Sequence, residues 1–304
     1  MKIFSKIFIA LLVLSLLYFC NQKGQDEQTI LIGKVSILVD ESILPIVEDQ
    51  VQVFESDYDA KITLVPKSEA EVLRAFFKDT MQVAVLTRKL TPLETNVFIN
   101  KKITPKVTPF ATDAIALIGN KNNNDTLIAL QDVIDFMKGI SKKNIKGLVF
   151  DNPNSSSLRY FNELAGLQST PDKGVFSFKT NEEVIKYVSE NSGIIGVVGV
   201  NWLVEPTANI EKYKEHIRVL SVKGLKTSGY YLPTQNNIAE HTYPLARDLY
   251  IINCQGFSGL GMGFASFMTG ERGQRIILKS GLLPWKIPTR NISVRKTINN
   301  DKKE

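Results

Sequence analysis

Four short stretches of the chain carry hydroxyl and charged side chains suited to binding a small anion. The richest runs from Asp151 to Arg159 and contains three consecutive serines, Ser155, Ser156 and Ser157. One hydroxyl is enough to cap a helix N-terminus, whereas three hydroxyls and a guanidinium supply several strong donors to one anion. The other three stretches are Asp40-Glu41-Ser42, Lys67-Ser68-Glu69 and Thr87-Arg88-Lys89. Each stretch alone is typical of an ordinary helix cap. The prediction of an anion site therefore depends on all four stretches lying at the same edge of the predicted sheets.

Residue types for other chemistry are sparse. The histidines His216 and His241 have no histidine or cysteine at ligand spacing, which argues against a metal site. The sequence contains neither Gly-x-Ser-x-Gly nor the P-loop pattern Gly-x-x-x-x-Gly-Lys-Ser/Thr. Asp113 interrupts an apolar run, which is costly unless the carboxylate lies at a cleft, in an ion pair or at a cap. The pattern predicts a binding protein without catalytic residues, metal or cofactor.

The elements that must position these residues alternate between short apolar strands and amphipathic helices. The predicted strands are Lys34–Val39, Lys61–Val65, Gln82–Leu86, Lys146–Phe150, Gly193–Val198 and Ile217–Val222. The predicted helices are Leu44–Phe54, Glu69–Lys78, Pro92–Asn100, Leu130–Met137, Ser155–Leu167, Asn181–Glu190, Gly259–Met268 and Glu271–Lys279. This alternation predicts an α/β fold with mainly parallel sheets flanked by helices. Helices that follow parallel strands begin at the carboxyl edge of the sheet, where their free N–H groups can bind an anion.

Two long apolar runs, Thr108–Ile118 and Pro244–Asn253, suggest two strands that cross between lobes. We therefore expect a first lobe at residues 30–113 plus 243–285 and a second at residues 114–242.

The net charge of +6 lies at the ends of the chain. Between Cys20 and Trp285 there are 29 basic and 29 acidic residues, while Lys286–Glu304 holds six basic and two acidic ones. A polar end without apolar periodicity is typical of a disordered tail. The charge pattern therefore indicates no nucleic-acid partner.

The N-terminus resembles an exported leader followed by a lipid anchor. Residues 1–19 combine Lys2 and Lys6 with an apolar run that is short for a membrane span, as in a signal peptide. Cys20 ends that run, as in a bacterial lipobox, and residues 20–29 are a polar linker. Phe19 departs from the small residue usual before such a cysteine, which leaves an uncleaved signal anchor as the alternative. Cys254 cannot form a disulfide with Cys20 once Cys20 is modified, and we expect it to be a small buried hydrophobe.

Several motifs in this order resemble the phosphate-binding proteins of ABC importers, which have the two-lobed type II periplasmic binding protein fold. The segments that carry the resemblance are Asp40–Pro45, Ala84–Leu90, Ala111–Asn120, Asp151–Arg159, Gly193–Val198, Tyr243–Ile251 and Phe267–Pro284. Their order and spacing cover most of the body and point to the fold more specifically than to the ligand.

The resemblance implies where an anion would bind. The family's hydroxyl positions match Ser42, Ser68, Ser155, Ser156 and Ser157, and Thr87, Asp113 and Arg159 lie in the matching segments. The charged positions depart: Arg88 stands where the family has an aspartate, and Asp151 where it has an arginine. One interpretation is that a cation and a carboxylate have exchanged lobes, with Arg159 as a second cation.

The resemblance also implies a function. We expect a periplasmic lipoprotein, monomeric and held to a membrane through Cys20, that captures inorganic phosphate for an ABC permease and its ATPase. The alternatives within the binding class are a sulfate-like oxyanion and a phosphate-sensing role. Two other classes stay open: a phosphoester hydrolase, and a scaffold lipoprotein that has lost ligand binding. A carboxylate in the site, from Asp40, Asp113 or Asp151, would accept the proton of hydrogen phosphate and disfavour sulfate.

Overall fold

The computed structural model describes residues 28–78, 81–142, 144–204 and 206–289. The predicted leader, Cys20 and all but the first few residues of the basic tail lie outside the described residues. Among the residues that are described, we find no helix with the length and apolar character needed to span a bilayer.

The first third of the chain forms three β–α rounds, as predicted. Strands β1 (Gly33–Asp40), β2 (Ala60–Lys67) and β3 (Val83–Leu86) lie in the order β2-β1-β3 and are parallel. The helices that follow them are α1 (Leu44–Asp57), α2 (Glu69–Phe77) and α3 (Pro92–Ile99). The predicted apolar faces of α1 and α2 are buried, because these side chains pack against the sheet. Because the three strands are parallel, they all end at the same edge of the sheet, where the three polar stretches lie.

A second group of elements repeats this arrangement. Strands β6 (Gly147–Phe150), β7 (Val175–Ser177) and β8 (Ile194–Gly199) are parallel, with β6 in the centre. The helices of this part are α4 (Leu130–Met137), α5 (Ser156–Ala165), α6 (Asn181–Glu190), α7 (Asn201–Val204), α8 (Ala208–Lys214) and α9 (Gln235–Ala239). The polar stretch from Asp151 to Ser155 lies between β6 and α5, again at a strand's carboxyl end.

Strand β4 (Lys106–Asn120) joins the two groups. Its first part pairs antiparallel with β12 (Ala246–Asn253), as far as Ala114 opposite Ala246. From Ile115 onward it pairs with β8 instead. The resulting sheet order is β2-β1-β3-β12-β4-β8-β6-β7. The α/β class and the two-lobed arrangement are confirmed, while the residue limits of the lobes stay a prediction.

The segment Ile217–Val222 is two strands, so its prediction as a single strand is wrong. Strand β9 (Ile217–Val219) pairs with β4. Strand β10 (Ser221–Lys223) belongs to a separate three-stranded sheet, between β5 (Leu127–Ala129) and β11 (Tyr230–Tyr231). The chain changes sheets at Leu220, whose N–H still bonds to β4. No glycine or proline marks this change, so the local sequence does not reveal it.

The end of the body returns to the first lobe. Helices α10 (Leu260–Thr269) and α11 (Glu271–Lys279) precede β13 (Leu283–Pro284), which pairs with β4. The ring of Phe54 on α1 lies 5.4 Å from that of Phe264 and 5.3 Å from that of Phe267. Cys254 is buried beside β3, as expected.

Candidate functional site

The loop after β1 presents its side chains from a tight, buried turn. Asp40 ends the strand and caps a 3-10 turn at Glu41–Ile43, because its Oδ1 accepts the Ser42 N–H at 3.0 Å. Both Asp40 and Ser42 are fully buried. The Asp40 carboxylate thus fixes the backbone while the Ser42 hydroxyl remains available to other groups.

The three consecutive serines of the second lobe, Ser155, Ser156 and Ser157, have different roles. Ser155 is the N-cap of α5 and accepts the Leu158 N–H at 3.3 Å, so the plain capping interpretation applies to it. Ser156 and Ser157 lie in the first helical turn and are almost completely buried. Asp151, also fully buried, accepts a bond of 3.3 Å from the amide of Asn181. Ser156 is the member of the triplet that reaches the other lobe.

Arg247, at the start of β12, joins hydroxyls from both lobes. Its Nη1 donates to Ser156 Oγ at 3.0 Å and its Nη2 donates to Ser42 Oγ at 3.2 Å. The two hydroxyl oxygens are themselves 3.1 Å apart. The guanidinium also binds Asp113 Oδ2 through Nε at 3.2 Å and Nη2 at 3.0 Å. We call Asp40, Ser42, Asp113, Ser156 and Arg247 the cleft cluster.

Arg247 was not among the predicted site residues, although the sequence contains a signal for it. Asp113 and Arg247 are charges within the two apolar crossing runs, and the register of β4 and β12 places them opposite each other. A buried carboxylate calls for a buried cation. An ion pair was one of the expectations for Asp113, but its partner was not identified.

The predicted cations Arg88 and Arg159 meet at a carboxylate. Arg88 Nε donates to Glu69 Oε1 at 2.9 Å, and Arg159 Nε donates to the same oxygen at 2.7 Å. Arg88 also forms a two-bond pair with Glu94 at 2.7 and 2.8 Å, and Arg159 bonds to Glu163 at 2.8 Å. The structure brings these two arginines together, but their charge is matched by carboxylates.

The remaining predicted residues, Ser68 and Thr87, take supporting positions. Ser68 is the N-cap of α2, and its hydroxyl donates to Glu71 at 2.7 Å in a capping box, as the plain interpretation expects. Thr87 Oγ1 lies 3.5 Å from Asp40 Oδ2 and 3.4 Å from Glu69 Oε2. Thr87 therefore links the cleft cluster to the carboxylate that binds Arg88 and Arg159.

The cleft is rich in carboxyl groups. Burial raises the pKa of Asp40 and of Asp113, and Arg247 offsets only part of that rise. Burial also raises the pKa of Asp151 to about 6. The pKa of Glu41 rises to about 7 through burial and the nearby Asp151 and Asp40. Near neutral pH, this site can donate hydrogen bonds from hydroxyls and a guanidinium, and the Asp151 carboxyl, whose pKa of about 6 lies below neutral, can accept a ligand's proton.

Side chains that could bind a metal ion are sparse in the part of the chain that is described. Within it, no group of three or more histidine, cysteine, aspartate or glutamate side chains is arranged to hold a metal ion. His216 and His241 are exposed, as expected.

A model of the PBP superfamily domain matches residues 24–272, which is most of the chain. None of the curated proteins compared with the sequence matches it.

Three solved structures illustrate the structural similarity. A Clostridium perfringens protein assigned as a phosphate ABC transporter substrate-binding protein, with bound phosphate, is 19% identical with a TM-score of 0.68, covering 84% of this chain and all of that one. An ABC-type phosphate transport receptor from Vibrio cholerae is 17% identical with a TM-score of 0.63. The match covers 83% of this chain and all of that one. The Synechocystis CcmR regulatory domain in complex with 2-PG is 11% identical with a TM-score of 0.53. The match covers 78% of this chain and 95% of that one. At these identities the similarity shows the fold, and the ligand must be argued from the site.

Proposed function

This chain belongs to the PBP superfamily, and we propose that it binds inorganic phosphate between its two lobes. The observation that carries the proposal is the position of Arg247, whose guanidinium contacts Ser42 of one lobe and Ser156 of the other. An oxyanion that contacts both hydroxyls would also receive charge-assisted bonds from this single buried cation. The phosphate bound to the Clostridium perfringens protein of the same fold supports this choice of ligand.

The buried carboxyl groups favour a protonated oxyanion. Both oxygens of Asp40 accept hydrogen bonds, whereas Asp113 Oδ1 and Asp151 Oδ1 are buried without a hydrogen-bond partner among the described residues, so Asp113 and Asp151 are the candidates to accept the proton of hydrogen phosphate. Sulfate has no proton to give at neutral pH and would meet these carboxylates unfavourably. Selection of phosphate over sulfate is therefore part of the proposal, with a sulfate-like anion as the alternative. The exchange of charges between Arg88 and Asp151 stays a prediction, and Arg247 is an alternative source of the positive charge.

The ligand is tested by calorimetry on the mature protein after bound anions have been removed. We expect phosphate to bind with a Kd of about 1 μM or lower, equivalent to about −8 kcal/mol. Sulfate should bind at least about tenfold more weakly, because it cannot donate to a buried carboxylate. Heat with sulfate but not with phosphate would reverse the proposed specificity. Heat with neither anion would leave the scaffold alternative.

Transport is the role we propose for this binding, with an ABC permease and its ATPase as partners of a monomeric periplasmic protein. The fold alone also serves regulatory domains such as that of CcmR, so a sensing role is the second candidate. Deleting the gene distinguishes the two. Loss of phosphate uptake indicates transport, and unchanged uptake with altered phosphate-dependent gene expression indicates sensing.

We further propose that Cys20 carries a lipid that holds the protein at a membrane, because it ends an apolar run with Leu17 three residues earlier. The Cys20→Ser variant should appear in the soluble fraction and take up no labelled fatty acid, whereas the wild-type chain should be labelled and membrane-bound. The Cys254→Ser variant is the control and should behave as wild type. Equal fractionation of the wild type and Cys20→Ser, without label in either, would contradict the anchor.

A further inference from the structure

Glu69 occupies an unusual position at the edge of the cleft. It is the first residue of α2 in the first lobe and is only 2% exposed. Besides Arg88 of its own lobe, it binds Arg159, which lies on α5 of the second lobe. Arg159 approaches through two nitrogens, with Nε 2.7 Å from Oε1 and Nη2 3.2 Å from Oε2. This two-bond geometry is the strong form of a carboxylate–guanidinium pair.

The backbone beside Glu69 also contacts the second lobe. The Ala70 N–H donates to the carbonyl of Asn154 at 3.3 Å, in the loop that leads to α5. The N-terminus of α2 therefore lies directly on the loop that carries the serine triplet. Any separation of the lobes at this edge breaks both the ion pair and this backbone bond.

Of the ion pairs at this edge, only the one between Glu69 and Arg159 would be broken if the lobes separated, because the others lie within one lobe. Arg88 keeps Glu94 as a partner whether or not the lobes are closed, because both lie in the first lobe. Arg159 likewise keeps Glu163, four residues further along α5, whose side chain is 63% exposed. Glu69 is the member whose environment depends on closure, since Arg159 reaches it from the other lobe.

We propose that Glu69 is a closure residue, which holds the two lobes together through Arg159 and so positions Ser156 against Ser42 without itself touching the ligand. This inference rests on the proposed binding of phosphate between the lobes. It gives Arg159 a positioning role in place of the ligand-binding role expected for it.

Trp202 provides a reporter of closure. Its indole Nε1 in the second lobe donates to the Ser42 carbonyl of the first lobe at 2.9 Å. The chain contains two tryptophans, so Trp285→Phe leaves Trp202 as the single source of indole fluorescence. The Glu69→Gln variant in this background removes the charge of the pair across the cleft. Glu163→Gln is the matched control, because it removes a carboxylate from the same arginine without crossing the lobes.

Stopped-flow fluorescence should show a selective effect on release. We expect Glu69→Gln to raise the phosphate dissociation rate at least about tenfold, with an association rate within about threefold of the parent, since contacts made after encounter act mainly on dissociation. Glu163→Gln should change either rate by less than about twofold, as is usual for exposed ion pairs. Arg159→Gln should reproduce Glu69→Gln, and the double variant should add nothing further. Equal effects of Glu69→Gln and Glu163→Gln, or a change confined to association, would overturn the proposal.

A second measurement separates this inference from the proposed ligand. Acrylamide quenching of Trp202 without any anion reports how far the lobes open. Glu69→Gln should increase quenching relative to both the parent and Glu163→Gln, even if phosphate proves not to be the ligand. Identical quenching in all three proteins would refute the closure role while leaving phosphate binding untouched.

Discussion

Replacement of Arg247 by methionine should weaken phosphate binding at least about 30-fold, the equivalent of about 2 kcal/mol, and up to about 5 kcal/mol. The guanidinium is nearly buried and donates to hydroxyls of both lobes, so its loss removes the positive charge of the cleft cluster. Calorimetry with the folded variant measures this loss.

Folding must be controlled in this experiment, because Asp113 would lose its cation. Breaking a buried pair from one side typically costs about 3–5 kcal/mol of stability. The double variant Arg247→Met/Asp113→Asn replaces both charges by neutral groups, and we expect it to recover most of that stability but none of the binding. Recovery of binding together with stability would show that Arg247 acts only on folding.

Arg88→Met is the informative comparison. If the charges at Arg88 and Asp151 have exchanged lobes, Arg88→Met should lose as much affinity as Arg247→Met. The contacts of Arg88 with Glu69 and Glu94 favour a smaller loss, because its charge is already matched. Wild-type affinity in Arg247→Met with a large loss in Arg88→Met would support the exchange and refute the role proposed for Arg247.

The second large effect is a pH-dependent gain of stability in Asp151→Asn. Burial raises the pKa of the Asp151 carboxyl from 3.8 to about 6, so between these values the folded chain binds a proton that the unfolded chain has released. The stability that depends on this proton is complete below about pH 4 and is lost as the pH rises through about 6. The amide that replaces the carboxyl in this variant is neutral throughout and can still accept the bond from Asn181, so the variant escapes this loss.

We therefore expect the stability advantage of Asp151→Asn over wild type to be about 2 kcal/mol larger at about pH 7.5 than at about pH 4.5. Urea unfolding at about pH 4.5 and about pH 7.5 measures it. The control is Asp135→Asn on α4, because contact with Lys142 lowers the pKa of Asp135 and predicts the opposite trend. Parallel pH profiles for wild type and Asp151→Asn would show that the carboxyl is not held in an unfavourable environment.

Much of the architecture could be predicted because it depends on local patterns. The apolar faces of α1 and α2 repeat at helical spacing, and the intervening strands are short apolar runs. Parallel strands then bring their carboxyl ends to one edge, so hydroxyl-rich stretches far apart in sequence could be expected to meet. Ser42 and Ser156, separated by 114 positions, follow strands of different lobes, and the contact between their hydroxyls joins these two edges across the cleft.

Local patterns along the chain therefore account for the α/β class, the order of the elements and the loops that line the cleft. The matching of charges, in contrast, depends on the three-dimensional packing. Arg247 and Asp113 lie 134 positions apart and meet through the register of two antiparallel strands. Glu69 binds both Arg88 and Arg159, so a carboxylate matches the charge of these two predicted anion ligands. The physical reason is that hydrophobic periodicity is a local property of the chain, whereas the environment of a buried charge depends on every element packed around it.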